Sequence, residues 1–509
     1  MKRHIQIAIP LIAAILFAAS CDGTSDTYEF AGLYKNLPFD MPHVNRPSIP
    51  ATAVCITEFG GVGDGVTLNG DAFAKAIGHL SDKGGGHLNV PRGFWLTGPI
   101  TLKSNIDLHL EAGAVVIFSS DSDLYPVIDT NFEGTDIRRC TSPINARGAR
   151  NVSITGEGIF EGQGEFWRGI SPNAIAPRVF SRIKEMIPEG VIDEKKGTWY
   201  PSEGFREAKT NSGSLNIPDK PFDEEYVKRF LRPVLLSFIE CENVLLEGCT
   251  FQNSPCWHLH PLWCKNVIVK DVTVRCPEYS WNGDGIDIDG CENVILSGAK
   301  FDVGDDGVCI KSGKDADGRR HAKPCHNVII DNCTVFHAHG GFTVGSEMSG
   351  GVYNIKVSNC TYLGTDTGLR FKSTRGRGGE VRDIWMENIQ MKDIITNSVI
   401  FNLYYNASGA GTKGGFSAIE AKPVDETTPR MHDIHFKNIN VNSANRSILI
   451  NGLPESPISG ITFEDCSFKA KYGAVINYAS DISIPTGSVS IEAANGPAFE
   501  TNESKNIQR

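Results

Sequence analysis

Four short runs of this chain bring together residue types that can move protons and hold an anion. NGDGID spans Asn282–Asp287, GDD spans Gly304–Asp306, HGG spans His339–Gly341 and RFK spans Arg370–Lys372. Hydrolysis of a glycosidic bond needs one carboxylic acid to protonate the leaving oxygen and a second carboxylate to attack the sugar or activate water. Asp284, Asp305 and Asp306 offer three such groups. Crowding them raises the pKa of at least one, which keeps a proton at hand near neutral pH. His339 can hydrogen-bond a carboxylate and tune its proton affinity. In RFK the period of two puts Arg370 and Lys372 on one face of a strand, with Leu369 and Phe371 on the other. Two cations projecting together suit a sugar carboxylate, and Arg370 can grip it with two parallel hydrogen bonds. Arg375 and Arg377 follow in a Gly-rich loop, where they either extend this anion site or form a solvated basic loop. A single Asp beside Gly reads as a turn, and Asp289, Asp302 and Asp315 are read that way; His337 is read as structural. Together the four runs point to hydrolysis of an acidic sugar.

The backbone must stack these runs, and the chain repeats in a way that would do so. NVSITGEGIF at Asn151, NVLLEGCTF at Asn243, NVIVKDVTV at Asn266, NVILSGAKF at Asn293, NVIIDNCTV at Asn327 and NIKVSNCTY at Asn354 are copies of one unit, with weaker copies at Asp383, Asp433 and Gly460. Each contains strand-length alternating runs between Gly, Asn or Asp. One unit cannot bury its apolar face alone. The predicted fold is therefore all-β, a single-stranded right-handed parallel β-helix over residues 51–490, with Asn amides stacked at the recurring corner. Rungs of such a helix lie about 4.8 Å apart, and diverging side chains are expected to widen the carboxylates to the spacing at which an inverting hydrolase holds a water. Strict alternation turns Asp306 inward with Val308 and Ile310, a conflict that a bulge at Gly304 and Gly307 would relieve. The open end of the coil calls for a cap, which the helical stripe Ala72, Phe73, Ala76, Ile77 and Leu80 supplies, with Asn69 or Asp71 as N-cap. Residues 165–231 interrupt the repeat with short helices and loops that would wall the cleft. Residues 491–509 read as a frayed tail.

A net charge of -11 over 509 residues argues against sequence-independent nucleic-acid binding, although not against a local basic pocket. Lys2 and Arg3, the apolar run Ile5–Ala19 and the small residues before Cys21 read as a secretory leader over residues 1–20, followed by a linker over 21–50. The cysteine directly after small residues resembles the lipobox of bacterial lipoproteins. That resemblance implies a lipid on Cys21 as the one membrane contact and a place in the bacterial cell envelope. Among the 14 cysteines, Cys241, Cys264, Cys291 and Cys325 each precede an Asn-Val pair by two residues, while Cys249, Cys333, Cys360 and Cys466 stand just before Thr or Ser. Equivalent positions on stacked coils predict ladders of buried thiols, with room for an occasional bridge.

Taken in order, the four motifs resemble those of the polygalacturonase family, glycoside hydrolase family 28, whose pattern is Asn-x-Asp, Gly-Asp-Asp, Gly-His-Gly and Arg-x-Lys. The resemblance covers most of Phe59 to Phe468, and EFGGVGDGVTLNGDAFAKAI resembles the family's N-terminal segment. Ala338 stands where the family often has Gly, and Gly283 where Thr is frequent; both are small. The resemblance implies a pectin-lyase-like solenoid, Asp305 as general acid, Asp284 and Asp306 as holders of the attacking water, His339 as supporting imidazole, and Arg370 and Lys372 as galacturonate binders. It further implies an inverting hydrolase of α-galacturonosidic bonds in pectic polysaccharide or oligogalacturonides, monomeric and working without metal or cofactor. The long insertion, GSE at Gly345–Glu347 and the extra arginines look like exo-acting bacterial members. Asn282, His260 and Tyr404 are further candidates to line sugar subsites, with Trp257 assigned to packing. A Ca²⁺-dependent pectate lyase and a non-catalytic carbohydrate-binding β-helix are the alternatives on the same fold.

Overall fold

The computed structural model describes residues 28–211, 214–217, 221–404 and 418–509, so the leader and Cys21 lie outside the described residues. Pro38–Arg509 form one compact unit, and the described part of the preceding segment carries the short helix Ala31–Tyr34. The main unit is a right-handed parallel β-helix. Its first sheet stacks Leu236–Ile239, Leu259–Leu262, Ile286–Asp289, Val308–Lys311, Gly340–Val344 and Thr367–Lys372, each paired in parallel with the next. A second sheet begins at the recurring Asn, through Glu242–Glu247, Lys265–Lys270, Glu292–Ser297, Cys325–Asp331 and Val352–Ser358. Short strands such as Thr250–Gln252, Thr273–Arg275 and Lys300–Asp302 form the third.

The corner residues explain the register. Asn105, Asn151, Asn243, Asn266, Asn293, Asn327 and Asn354 all have φ between 52° and 61°, the left-handed region that Asn tolerates better than most residues. From Asn151 onward each amide nitrogen donates to the preceding Asn oxygen at 2.9–3.2 Å. Asp383, Asp433 and Gly460 take the same corner at φ 53°, 53° and 64°, which keeps the weaker copies in phase although they lack Asn. The cysteines form ladders: Cys264, Cys291 and Cys325 donate to the carbonyls of Phe238, Pro261 and Ile288 on the coil before, at 3.1, 3.2 and 3.5 Å. All cysteines among the described residues are free.

At the N-terminal end the helix Gly70–Asp82 buries Ala72, Phe73, Ala76, Ile77 and Leu80 over the first coil. Asn69 occupies its N-cap position, but the buried side chain bonds Val62, Thr67 and Leu96 rather than the helix. The far end differs from expectation. Residues 491–509 are not a frayed tail, because Val489–Asn502 and Lys505–Gln508 pair in parallel with Cys466–Asn477 and Ala479–Ser483 and add another coil. Phe499 and Ile507 pack on the core, and Asn502 extends a second amide ladder, donating to Asn477 at 2.8 Å as Asn477 does to Asn451.

The 21–50 linker is likewise no free tether over its described C-terminal half. Phe39 lies on the Trp385 ring at 5.7 Å, Val44 is fully buried, and Arg46 makes two 2.7 Å bonds to Glu247. Between these contacts runs an outward-facing row of the second sheet, Leu245, Ile268, Ile295 and Ile329, which is buried although it points away from the interior. Seven extended residues span roughly 24 Å, the height of five rungs at about 4.8 Å. The segment is thus a strap over an apolar stripe. Val44→Asp would force a charge into that stripe and is expected to lower the unfolding midpoint and raise binding of a hydrophobic dye. An unchanged midpoint would contradict the strap.

Two additions flank the first sheet. Residues 165–231 contain the helices Pro177–Met186 and Glu203–Glu207 and a small core of their own, including Trp167, Ile170, Ile183, Trp199 and Leu231. A hairpin absent from the sequence reading joins Val127–Phe132 to Thr135–Cys140 through Glu133 and Gly134, whose φ values of 50° and 71° make the two-residue turn that suits strand twist.

Candidate active site

Three of the motifs meet at the N-terminal edge of the first sheet, and the Arg370 and Lys372 side chains reach them from the C-terminal end of Thr367–Lys372. Asp284 ends the loop before Ile286–Asp289, and Asp305 and Asp306 lie in the bend before Val308–Lys311. Because the strand starts only at Val308, the parity conflict does not arise. Asp306 is buried among polar groups at the sheet's edge, not in the apolar interior. Gly285 N–H donates to the Asp306 carbonyl at 2.9 Å and His339 N–H to the Asp305 carbonyl at 3.0 Å, which stacks the three motifs. Carboxylate oxygens of Asp284, Asp305 and Asp306 lie within 4.8 Å of one another. These are one oxygen from each carboxylate, and backbone bonds hold both bends in rung register.

The three carboxylates differ in what surrounds them. Asp306, with a side chain 2% exposed, bonds Lys372 Nζ at 2.8 Å, Thr343 Oγ1 at 3.0 Å and an Arg370 guanidinium nitrogen at 3.3 Å. Burial would raise its pKa, but Lys372 and Arg370 outweigh burial and hold the group well below the usual carboxylate range. Asp284, 5% exposed, is driven the other way: burial and then the nearby Asp287 and Asp305 raise it well above that range. Asp305 is the accessible member at 25%. One of its oxygens accepts from Asp306 N–H at 3.0 Å and faces His339 Nδ1 at 3.4 Å, while His339 Nε2 reaches Asp366 at 3.1 Å. The bond to Asp305 raises the imidazole's pKa against the opposing effect of burial. The oxygens are spaced as a divalent cation would need, but Lys372, Arg370 and Lys311 already bring positive charge to Asp306 and Asp284.

Removing one of those cations has a signed consequence. Asp306 has a depressed folded-state pKa, so its ion pair stabilises above the ordinary carboxylate value and is lost as pH falls through and below it. Lys372→Met leaves the buried carboxylate with Arg370 as its ion-pair partner and the Thr343 hydroxyl. It is expected to cost about 3 kcal/mol at pH 7, in the range for breaking a buried pair, and less at pH 3. Denaturant midpoints at the two pH values check this, and an equal cost at both would contradict it.

Several charged residues at the site were not anticipated. Asp289 is no turn residue: it ends the strand Ile286–Asp289, is buried, and bonds Gly313 N–H at 3.2 Å with His260 Nε2 at 3.4 Å. Asp287 and Lys311 are buried on the same strands, with Lys311 Nζ 3.0 Å from Asp287, 3.8 Å from Asp284 and 3.9 Å from Glu347. His260 lies beneath this group, its ring against Trp257. Tyr404 is one coil past Lys372, its hydroxyl enclosed beside Arg375 and Glu455. Asn282 accepts from Arg232 at 2.8 Å. Arg375 is held by Glu455 at 2.6 Å, and Arg377 by Asp315 and the Ser346 carbonyl, so both are structural ties.

One end of the sheet's outer face is roofed. The Val127–Cys140 hairpin crosses it and docks on the helix Asp315–His321, where Asp136 takes Arg320 at 2.6 Å and His321 at 3.0 Å, and Lys314 N–H donates to Gly134 at 2.9 Å. Phe132 packs on Trp257 at 4.4 Å, and the Arg139 guanidinium stacks 3.7 Å from Phe132. Beneath lies a space of about 60 Å³ lined by residues including Asn145, Ser237 and His260. Among the described residues this roof does not reach Arg370 and Lys372, which stand two coils beyond Val308–Lys311.

A solenoid that stacks an accessible acid over two buried carboxylates, beside an imidazole and two cations, defines a glycoside hydrolase. Residues 225–487, just over half of the chain, match the family described as Glycosyl hydrolases family 28, and the chain belongs to that family. It is 28% identical to a "Probable polygalacturonase" of Vitis vinifera over 81% of this chain and 74% of that protein. To the "Exo-poly-alpha-D-galacturonosidase" of Dickeya chrysanthemi it is 27% identical over 77% of this chain, spanning 62% of that relative. The crystal structure of an exopolygalacturonase from Thermotoga maritima matches at a TM-score of 0.66 and 29% identity, covering 92% of this chain and 94% of that one.

Proposed function

We propose that this protein is an exo-acting hydrolase of α-galacturonosidic bonds in pectic chains, with Asp305 as general acid and a water activated by Asp284 and Asp306. The observation that carries it is the accessible Asp305, beside the Arg370 and Lys372 pair on the open side and a roofed face on the other. Arg370 and Lys372 suit the carboxylate of the sugar on the leaving side. The roof closes the face on that side of the carboxylates, which favours release from a chain end. Burial makes Asp284 the resting place of a proton in the free enzyme, and the short spacing lets it pass to Asp305 as substrate excludes water. That step also leaves Asp284 ionised to accept a proton from water.

A spacing below about 5 Å would by itself suit a retaining pair. Burial favours inversion in this reading, because Asp284 and Asp306 are too enclosed to meet the anomeric carbon, whereas a water can. Inversion by single displacement follows. The basic-apolar leader and Cys21 support export and a lipid anchor in the cell envelope. The test is product analysis on defined oligogalacturonides. Monomer or dimer as the sole early product is expected, whereas a ladder of mid-length oligomers, or an unsaturated ultraviolet-absorbing product, would overturn the proposal.

A further inference from the structure

Among the described residues Lys311 is the cation that bears on Asp284, and it is buried. Its side chain is 5% exposed, its stem ends with Nζ 3.6 Å from the Trp257 ring centroid, and Trp257 is itself covered by Phe132 of the hairpin. The ammonium group serves three carboxylates: Asp287 at 3.0 Å, Asp284 at 3.8 Å and Glu347 at 3.9 Å. Asp284 Oδ1 and Asp287 Oδ2 are buried without a hydrogen-bond partner among the described residues, and Asp287 Oδ1 faces Lys311 Nζ, so Lys311 is the main compensation for two desolvated negative groups. The strand register makes this placement: Asp287 pairs with Cys309 and Asp289 with Lys311, so the lysine projects on the same outward face one rung above.

We propose that Lys311 is a positioning residue of the reaction, whose buried ammonium group stabilises the carboxylate that Asp284 becomes once its proton has passed to Asp305, ready to take the proton of the attacking water, with Asp287 and Glu347 fixing the ammonium in place. The inference rests on Asp284 being a water-activating group. Every charged neighbour enters the balance. Asp287, Asp305 and Asp306 oppose ionisation of Asp284, and Lys311 favours it. Lys372 and Arg370 are engaged by Asp306, His260 faces Asp287 and Asp289, and the neutral-leaning His258 ring lies between the Asp284 backbone carbonyl, at 2.8 Å, and Ser254 N–H, at 3.2 Å. Cys309 lies beside Lys311 as a buried thiol. Lys311 is thus the group whose loss shifts the balance most directly toward a protonated Asp284.

The test is a pair of opposite substitutions read through pH–rate profiles on an oligogalacturonide. Lys311→Met is expected to move the profile alkaline by about one unit, a tenfold loss of kcat on the acidic limb, with KM little changed. Asp287→Asn removes a competing negative charge and should move the profile toward acid. Lys311→Arg, which keeps the charge, should restore the parent profile in large part. Profiles that stay in place, or move in the same direction in both variants, would overturn the role of Lys311; if Lys311→Met does not fold, the direction of the isosteric Asp287→Asn variant decides alone. Asp284→Asn separates the two readings. Full activity in that variant removes the water-activating assignment itself, whereas an inactive Asp284→Asn with unmoved profiles removes only the part given to Lys311.

Discussion

Asp305→Asn is expected to lower kcat by about 10³-fold, within the range set by loss of a general acid, while binding of oligogalacturonide persists. The amide keeps the shape of the side chain and still offers an oxygen to the Asp306 N–H that Asp305 accepts at 3.0 Å, so the bend should survive. It cannot deliver a proton to the leaving oxygen. Binding should persist because Arg370 and Lys372 are tied to Asp306, not to Asp305. A substrate with an acidic aryl leaving group, which needs little protonation, should recover much of the lost rate. Calorimetric binding alongside kcat separates these effects. Unchanged turnover on the natural linkage would remove Asp305 from the mechanism.

Shortening the hairpin is expected to change the product. With Ile128–Arg139 replaced by a short turn, the face over Ser237, His260 and Trp257 loses its roof, together with the ties from Asp136 to Arg320 and His321. A chain could then run through the site in both directions. The early products should lengthen from monomer toward mixed oligomers, and the viscosity of a pectate solution should fall at a lower degree of cleavage. Phe132 and the Arg139 stack also cover Trp257, so some stability is lost with the roof, and assays belong well below the variant's unfolding midpoint. Monomer as the sole product of a folded, active variant would show that chain-end action has another cause.

The coils were legible because their determinants are local. An Asn that tolerates the left-handed corner and stacks on its neighbour's amide marks each turn, and the apolar runs after it set the inward face. The strap was not legible, since Phe39 to Arg46 has no period. Its footprint was nevertheless present in Val-Leu-Leu at Val244, Val-Ile-Val at Val267, Val-Ile-Leu at Val294 and Val-Ile-Ile at Val328, uninterrupted apolar runs that belong to strands buried on both faces. The final coil was missed because Val489–Asn502 carries few apolar residues and is held largely by backbone pairing and the Asn477–Asn502 amide bond.

The acids, imidazole and cations of the four motifs were readable because their types and order are distinctive. Asp289 and Lys311 were not, because their relation exists only across a rung: 22 positions apart in sequence, they become register partners once Ile286–Asp289 lies beside Val308–Lys311. The hairpin left a fainter sign in Glu133-Gly134 between two strand-length runs, but its strands mix apolar and polar residues and bury side chains only at Asn131, Phe132, Arg139 and Cys140.

Water itself is expected to displace the sugar, directed by the buried carboxylates Asp284 and Asp306 beside the acid Asp305. Proton NMR during the first turnovers on an α-linked galacturonide reads this directly, before mutarotation mixes the anomers. The β-anomer of a saturated galacturonate as first product is the predicted result. The α-anomer appearing first would mean a covalent intermediate, and a 4,5-unsaturated sugar would mean elimination; either would contradict the account.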